Sequence, residues 1–519
     1  MRSRRVIVLF PLVWVACFSG SSGGNGNAQF DASFDASFDG TSPEAEPGEA
    51  STPEASADVT AEDAPSVDAS VEADAGPQPI TVVVAGALGY EPGVNVVFGD
   101  ATGAVLGAPV PTDSNGQART QQPGVAMATV LLGTPSAPAP YTVMGLGPGS
   151  LVPVVDLASI GDLPSTSALV TAIPSTPNLG GVSTYQVTSG ACVSTPQGLP
   201  FPLSLQSYNA WPCVGLASTA TTVNPVLPLI VDALDTSGNI LGFAAATTAS
   251  PATPDDAGNI DVALGGSWSQ STTHQIVAVD NLPDAGVFAP QIAYSEIADG
   301  ILDTLPSQAP PVDAGASAFA QVQTHVGFAS GVQAEAQLLS TQSGLLATSL
   351  ISTAPAPTKD GTVTLDASLL ATAPFFQSAV TTSGPTDGQP IVQWSLASGN
   401  LGGATGLVTS FGWSQPLDGG QLVYGTWTIV SPGITGTSIT APALPSSLAG
   451  YAPATGATVY EDEIFAVYGQ TGHGSYASLL PVGTLFPFQQ CSFSAPAIPP
   501  LPGAGTALIV QYSAGGSGC

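Results

Sequence analysis

Few side chains in this 519-residue chain have the types and spacing that acid–base, nucleophilic or metal chemistry requires. There are three histidines, His274, His325 and His473. His274 and His325 lie in strand-like text and read as half-buried sheet residues. His473, in Gly472-His473-Gly474-Ser475, is the best-placed candidate base. The Gly-x-Ser-x-Gly match Gly20-Ser21-Ser22-Gly23-Gly24 has no strand before it and no helix after it, so it cannot form the strained turn that exposes a nucleophilic serine. No histidine pair or Cys-x-x-Cys has the spacing of a zinc site. Glu461-Asp462-Glu463 is the densest carboxylate cluster of the folded part. Alternation along a strand places Glu461 and Glu463 on one face and Asp462 on the other, so a convergent acid–base pair would need a bulge. Asp113-Ser114-Asn115-Gly116 and Asp255-Asp256-Ala257-Gly258-Asn259 offer hard oxygen donors of the kind calcium takes, but lack the later ligands of an EF-hand and read as turns. Trp211, Trp268, Trp394, Trp413 and Trp427 could stack on sugar rings, yet tryptophan in strand pattern belongs first to a core. No catalytic, metal-binding or cofactor-binding residue is assigned.

The elements that would position such residues follow from composition. Gly 60 and Pro 48 make about a fifth of the chain, 44% is hydrophobic and only 8% is charged. That mixture excludes a coiled coil and favours many short strands joined by turns, an all-β fold. The formal net charge is -32, from 37 acidic and 5 basic residues. Such a surface repels phosphate backbones, which excludes nucleic acid as a partner. It equally disfavours electrostatic docking on anionic lipid.

The first residues are Met1-Arg2-Ser3-Arg4-Arg5, followed by an apolar or small run from Val6 to Phe18. A basic start and a short apolar stretch form the pattern of a secretory signal. The run is too short to span a bilayer. Its end, Val13-Trp14-Val15-Ala16-Cys17, resembles a bacterial lipobox; Ala16 fits the pattern and Trp14 departs from it. The resemblance implies that residues 1–16 are removed, that Cys17 is lipidated, and that the protein is an outer-membrane or cell-surface lipoprotein of a Gram-negative bacterium. Loss of Arg2, Arg4 and Arg5 leaves Arg119 and Lys359 as the cations. Cys192, Cys213, Cys491 and Cys519 remain, an even number suited to two disulfides. Three pairings are possible, and short loops favour 192–213 with 491–519.

Residues 17–78 read as a disordered acidic tether. It contains the repeat Phe30-Asp31-Ala32-Ser33, Phe34-Asp35-Ala36-Ser37, Phe38-Asp39-Gly40 and then a Pro-, Glu- and Asp-rich stretch without a cation. Residues 79–160 read as a small β-sandwich. Val94–Phe98, the turn Asp100–Gly103 and the turn Thr112–Gly116 resemble Ig-like modules of the invasin-repeat or carboxypeptidase-regulatory type. The resemblance implies a spacer or a carbohydrate- or protein-contacting module, with no catalytic residue to carry over. Residues 165–310 read as a β-sandwich unit with one short helix at 291–305, where Ile292, Ala293, Tyr294, Ile297, Ala298, Ile301, Leu302 and Leu305 return at three- and four-residue spacing. Residues 311–519 read as a second β-sandwich unit. The passages Ile230–Asn239 and Ile391–Asn400, each followed by Trp-Ser-Gln (Trp268-Ser269-Gln270 and Trp413-Ser414-Gln415), raise the expectation of a duplication. The function expected is that of a non-catalytic envelope protein serving adhesion, carbohydrate binding or structure, with a polysaccharide or surface protein as partner. The alternative is a secreted hydrolase whose site is not recognisable from sequence.

Overall fold

The computed structural model describes residues 78–86, 89–156, 168–172, 179–189, 192–193, 197–198, 215–218, 223–249, 260–263, 268–270, 272–281, 288–298, 301–305, 318–340, 345–356, 358–382, 389–416, 422–433, 435–469, 475–478, 480 and 504–513. These residues form strands almost throughout, with short 3-10 turns at Ala367–Thr372, Ser446–Tyr451 and Tyr476–Ser478. The fold is all-β, as the composition requires. The signal sequence, Cys17 and the acidic segment lie outside the described residues.

The centre is a twelve-stranded sheet. In spatial order its strands are Ile301–Leu305, Phe288–Ala298, Gly331–Ser340, Leu345–Pro355, Gly505–Ser513, Thr458–Gly469, Gly406–Pro416, Leu422–Pro432, Ala137–Met144, Met127–Thr134, Asn95–Gly99 and Val110–Pro111. Every neighbour pair is antiparallel except one, where Thr428–Val430 runs parallel to Tyr141–Val143. Both faces of this sheet are buried in its middle, so Gly406–Trp413 is buried at every position rather than at every second one.

One face packs against the sheet that contains Ile80–Gly86, enclosing Val82, Val84, Val96, Phe98, Val130, Val152, Val154, Val408, Phe465 and Ile509. The strand Ile80–Gly86 lies between Gln117–Thr120, antiparallel, and Leu151–Asp156, parallel. The described strands between Ile80 and Asp156 lie in two packed sheets, and one of these continues into the strands of the C-terminal half. Packing makes Gly76–Cys519 one compact unit. A buried Thr129–Thr142 hydroxyl pair at 2.9 Å accepts the Trp427 indole N–H at 3.0 Å, joining the two halves where they meet.

The opposite face is covered by two three-stranded sheets. One has Thr272–Asp280 between Ala318–His325 and Gly361–Asp366. The other has Ile391–Ser398 between Phe375–Thr382 and Ser438–Thr440. Their inward residues, including Val277, Leu365, Phe376 and Trp394, meet Tyr294, Leu350, Phe411, Trp413 and Trp427 in one core. The strand Thr272–Asp280 alternates strictly between inward and outward residues, as a half-buried strand must.

The helix expected at 291–305 is instead a β-hairpin: Phe288–Ala298 pairs antiparallel with Ile301–Leu305. The last pair is Ala298↔Ile301, and the sequence between them, Asp-Gly, is a favoured hairpin dipeptide. The helical spacing was produced by a strand buried on both faces, with Ile292, Tyr294 and Glu296 on one and Ser295 on the other. The expected duplication also meets different pairing. Val223–Leu234 and Ile240–Ala249 form one hairpin of a six-stranded sheet. Ile391–Ser398 and the following Gly406–Pro416 instead go to separate sheets. The two Trp-Ser-Gln segments diverge as well: Ser269 makes an isolated bridge to Phe243, whereas Trp413 lies inside a paired strand.

Candidate functional site

Three charged side chains meet in the interior. Asp232 comes from Val223–Leu234 in the six-stranded sheet, Glu296 from Phe288–Ala298 in the twelve-stranded sheet, and His325 ends Ala318–His325 in a three-stranded sheet. His325 Nδ1 lies 2.6 Å from Glu296 Oε2 and Nε2 lies 2.9 Å from Asp232 Oδ1. The His325 backbone N–H donates to the other Glu296 oxygen at 2.6 Å. Side-chain exposure is 0% for His325, 1% for Glu296 and 8% for Asp232. Phe243 packs edge-on against the imidazole at 4.6 Å, and Phe328 stands at 6.2 Å on the turn that follows it. Gly327, at φ +83°, makes that turn.

Burial works against a charged ring here, but the charges and hydrogen bonds of Asp232 and Glu296 prevail and push the imidazole up to about 10. At neutral pH the group is an imidazolium between two carboxylates. That state leaves no ring lone pair to accept a proton, so His325 cannot serve as a general base. Among the described residues no group of three or more His, Cys, Asp or Glu is arranged to hold a metal ion.

Neutral polar side chains surround the triad and fasten the same junction. Gln323, two residues before His325, accepts from the Ile240 backbone N–H at 2.8 Å and donates to the Ile240 carbonyl at 2.8 Å and to Thr272 Oγ1 at 2.7 Å. Its amide thus stands in for a strand edge. On the inward face of the same sheet, Thr273 and Thr324 hydroxyls pair at 2.7 Å, and the Gln275 amide donates to the Lys359 carbonyl at 2.9 Å.

The residues singled out by sequence are placed as follows. His325 is fully buried rather than half-buried, and His274 is exposed, with its backbone N–H on Asp360 Oδ1 at 2.7 Å. His473, Gly20–Gly24, Trp211 and Asp255–Asn259 lie outside the described residues. So do Cys17, Cys213, Cys491 and Cys519; Cys192 is described only as backbone in Cys192–Val193. The bulge that a convergent Glu461-Asp462-Glu463 would need is present: Phe411 pairs with Asp462 and Gly412 with Tyr460, leaving Glu461 as the extra residue. The Asp113 carboxylate is consumed by its own turn, accepting from Asn115 N at 2.8 Å and Gln117 N at 3.0 Å. Those bonds, led by the one from Gln117, hold its carboxyl below the usual range. Trp394, Trp413 and Trp427 are core residues, and Trp268 is half-buried against Tyr185 at 5.8 Å.

Sequence reasoning missed Asp232 and Glu296. The available signal was an isolated acid inside apolar strand text, Leu229-Ile230-Val231-Asp232-Ala233-Leu234 and Ala293-Tyr294-Ser295-Glu296-Ile297. In a chain this poor in charge, such a position needs a buried partner. No protein-family model matches the chain, and no curated protein is similar to it.

Proposed function

We propose that this is an exported, non-catalytic cell-envelope protein, held on the outer membrane through a lipidated Cys17 and set away from it by the acidic segment 17–78. Its all-β body serves adhesion, carbohydrate binding or envelope structure, and two disulfides among Cys192, Cys213, Cys491 and Cys519 brace it. The observation that supports this most is the state of His325. Among the described residues, the histidine with acid–base partners, His325, has both ring nitrogens engaged in joining sheets and none free for a substrate. The charge balance, -32 overall, adds that any partner is neutral or cationic.

The test is fractionation of cells expressing the full chain or Cys17→Ala, with labelled fatty acid supplied. The wild-type protein is expected in the membrane fraction carrying label, and the variant unlabelled and released. Identical fractionation of the two would remove the anchor. For the body, a polysaccharide at about a hundred times its Kd should add about 2.7 kcal/mol of stability, read as a raised melting temperature. Turnover of a polysaccharide, rather than a shift, would replace this reading with a hydrolase.

A further inference from the structure

We propose that Asp232, His325 and Glu296 form a proton-dependent latch: the three sheets they join are locked only while the imidazole carries both protons, and the latch releases on the alkaline side. A carboxylate oxygen faces each ring nitrogen, at 2.6 and 2.9 Å. Imidazolium donates to both; neutral imidazole has one N–H, so one contact must become lone pair against lone pair. With side chains 0–8% exposed, water does not repair the loss.

Among the described residues around the ring, none supplies a substitute proton. Of the elements packed on the ring, Phe243 and Phe328 are aromatic and uncharged. Gln186 stands opposite Asp232 and Thr272 opposite His325. Asp303 holds the register position across from Glu296, a further acid rather than a cation. Tyr294, two residues before Glu296, has its phenol pushed up by burial and by the Glu296 charge, so it stays neutral. His274 lies on an exposed position of the neighbouring strand.

The direction is opposite to that of a histidine released by acid. The folded ring titrates near 10 against 6.5 when free. The contribution is therefore complete below pH 6.5, declines as pH rises, and is gone above about 10. Between those limits unfolding releases one proton, and linkage makes the unfolding constant rise about tenfold per pH unit.

The experiment is urea unfolding of the mature full-length chain at pH 7, 8 and 9 at constant ionic strength, for wild type, His325→Gln and Asp232→Asn. The wild type is expected to show the tenfold rise per unit, and both variants a flat response. Asp232→Asn keeps the cavity filled and lets a neutral ring donate to Glu296 while accepting from the new amide, so it should fold even where His325→Gln does not. Ring-nitrogen NMR of the wild type at pH 8 should show both nitrogens of His325 protonated. A wild-type response as flat as that of Asp232→Asn, or one unprotonated ring nitrogen at pH 8, overturns the proposal.

Discussion

Gly425→Ala should destabilise the protein through a single side chain, Trp413. A Cβ built at position 425 would fall 2.2 Å from Trp413 Cζ2, 2.4 Å from Cε2 and 2.8 Å from Cη2. Carbon atoms sit comfortably at about 3.5 Å, so the indole or the strand must retreat by more than about 1 Å. The indole has nowhere to go. It is fully buried and packed against Trp427 at 6.4 Å and Phe411 at 6.1 Å. Overpacking of this kind costs about 1–3 kcal/mol. Relief of unfolded-chain entropy returns only about 0.4–1 kcal/mol. The net expectation is a loss centred on about 1.3 kcal/mol, read as a lower urea midpoint by far-UV circular dichroism, with an unchanged slope. Adding Trp413→Leu should make the two losses less than additive, by about 0.5–3 kcal/mol for residues in contact. A neutral or stabilising Gly425→Ala, or strict additivity with Trp413→Leu, would refute the packing argument.

Two other expectations follow from the same kind of geometry. Gln323→Leu leaves the Ile240 N–H and carbonyl and the Thr272 hydroxyl without the partner they now share; it should cost about 1–3 kcal/mol and speed hydrogen exchange at the Ile240 amide. Gly116 and Gly238 both sit at positive φ, +65° and +84°, but a Cβ at 116 would lie 2.2 Å from the Val84 carbonyl while one at 238 meets nothing within 4 Å. Alanine should therefore cost about 1–2 kcal/mol at 238, the strain of the left-handed backbone alone, and more at 116, measured side by side by thermal melting.

How much of this was legible in the sequence depends on the range of the interaction. Turns were readable because their chemistry is local. Asp100, Asp113 and Asp235 each accept from the backbone N–H two and four residues on, and each is followed at the third position by a glycine with positive φ. Alternating strands such as Thr272–Asp280 were readable for the same reason. The hairpin at Phe288–Leu305 was not, because burial on both sides erases the two-residue period and leaves helical spacing by accident. Asp299-Gly300 was the surviving local clue. The triad was beyond reach: its ion pairs join residues 93 and 29 positions apart from three different sheets. Only the isolation of Asp232 and Glu296 in apolar text hinted that a partner had to exist. The continuation of the N-terminal strands into the sheet of the C-terminal half was invisible for a related reason, since strand text says nothing about whether a neighbour in the sheet comes from the next hairpin or from Leu422–Pro432.

The charge inventory explains why a histidine, rather than an arginine or lysine, sits at that junction. Outside the first five residues the chain has Arg119 and Lys359 as its only permanent cations, and both are exposed. A buried carboxylate pair needs a counter-charge, because an unpaired one costs several kcal/mol. Imidazole can supply it only if held protonated, and the two carboxylates that need the charge are also what holds it. Other joints among the described residues use neutral groups: Gln323 on Ile240, Gln275 on Lys359 O, Thr273 on Thr324, and Trp427 on Thr142. Such bonds do not weaken with salt as surface ion pairs do. Joints of this kind hold a strongly acidic chain together at changing ionic strength, and the ionic joint at His325 is shielded from water.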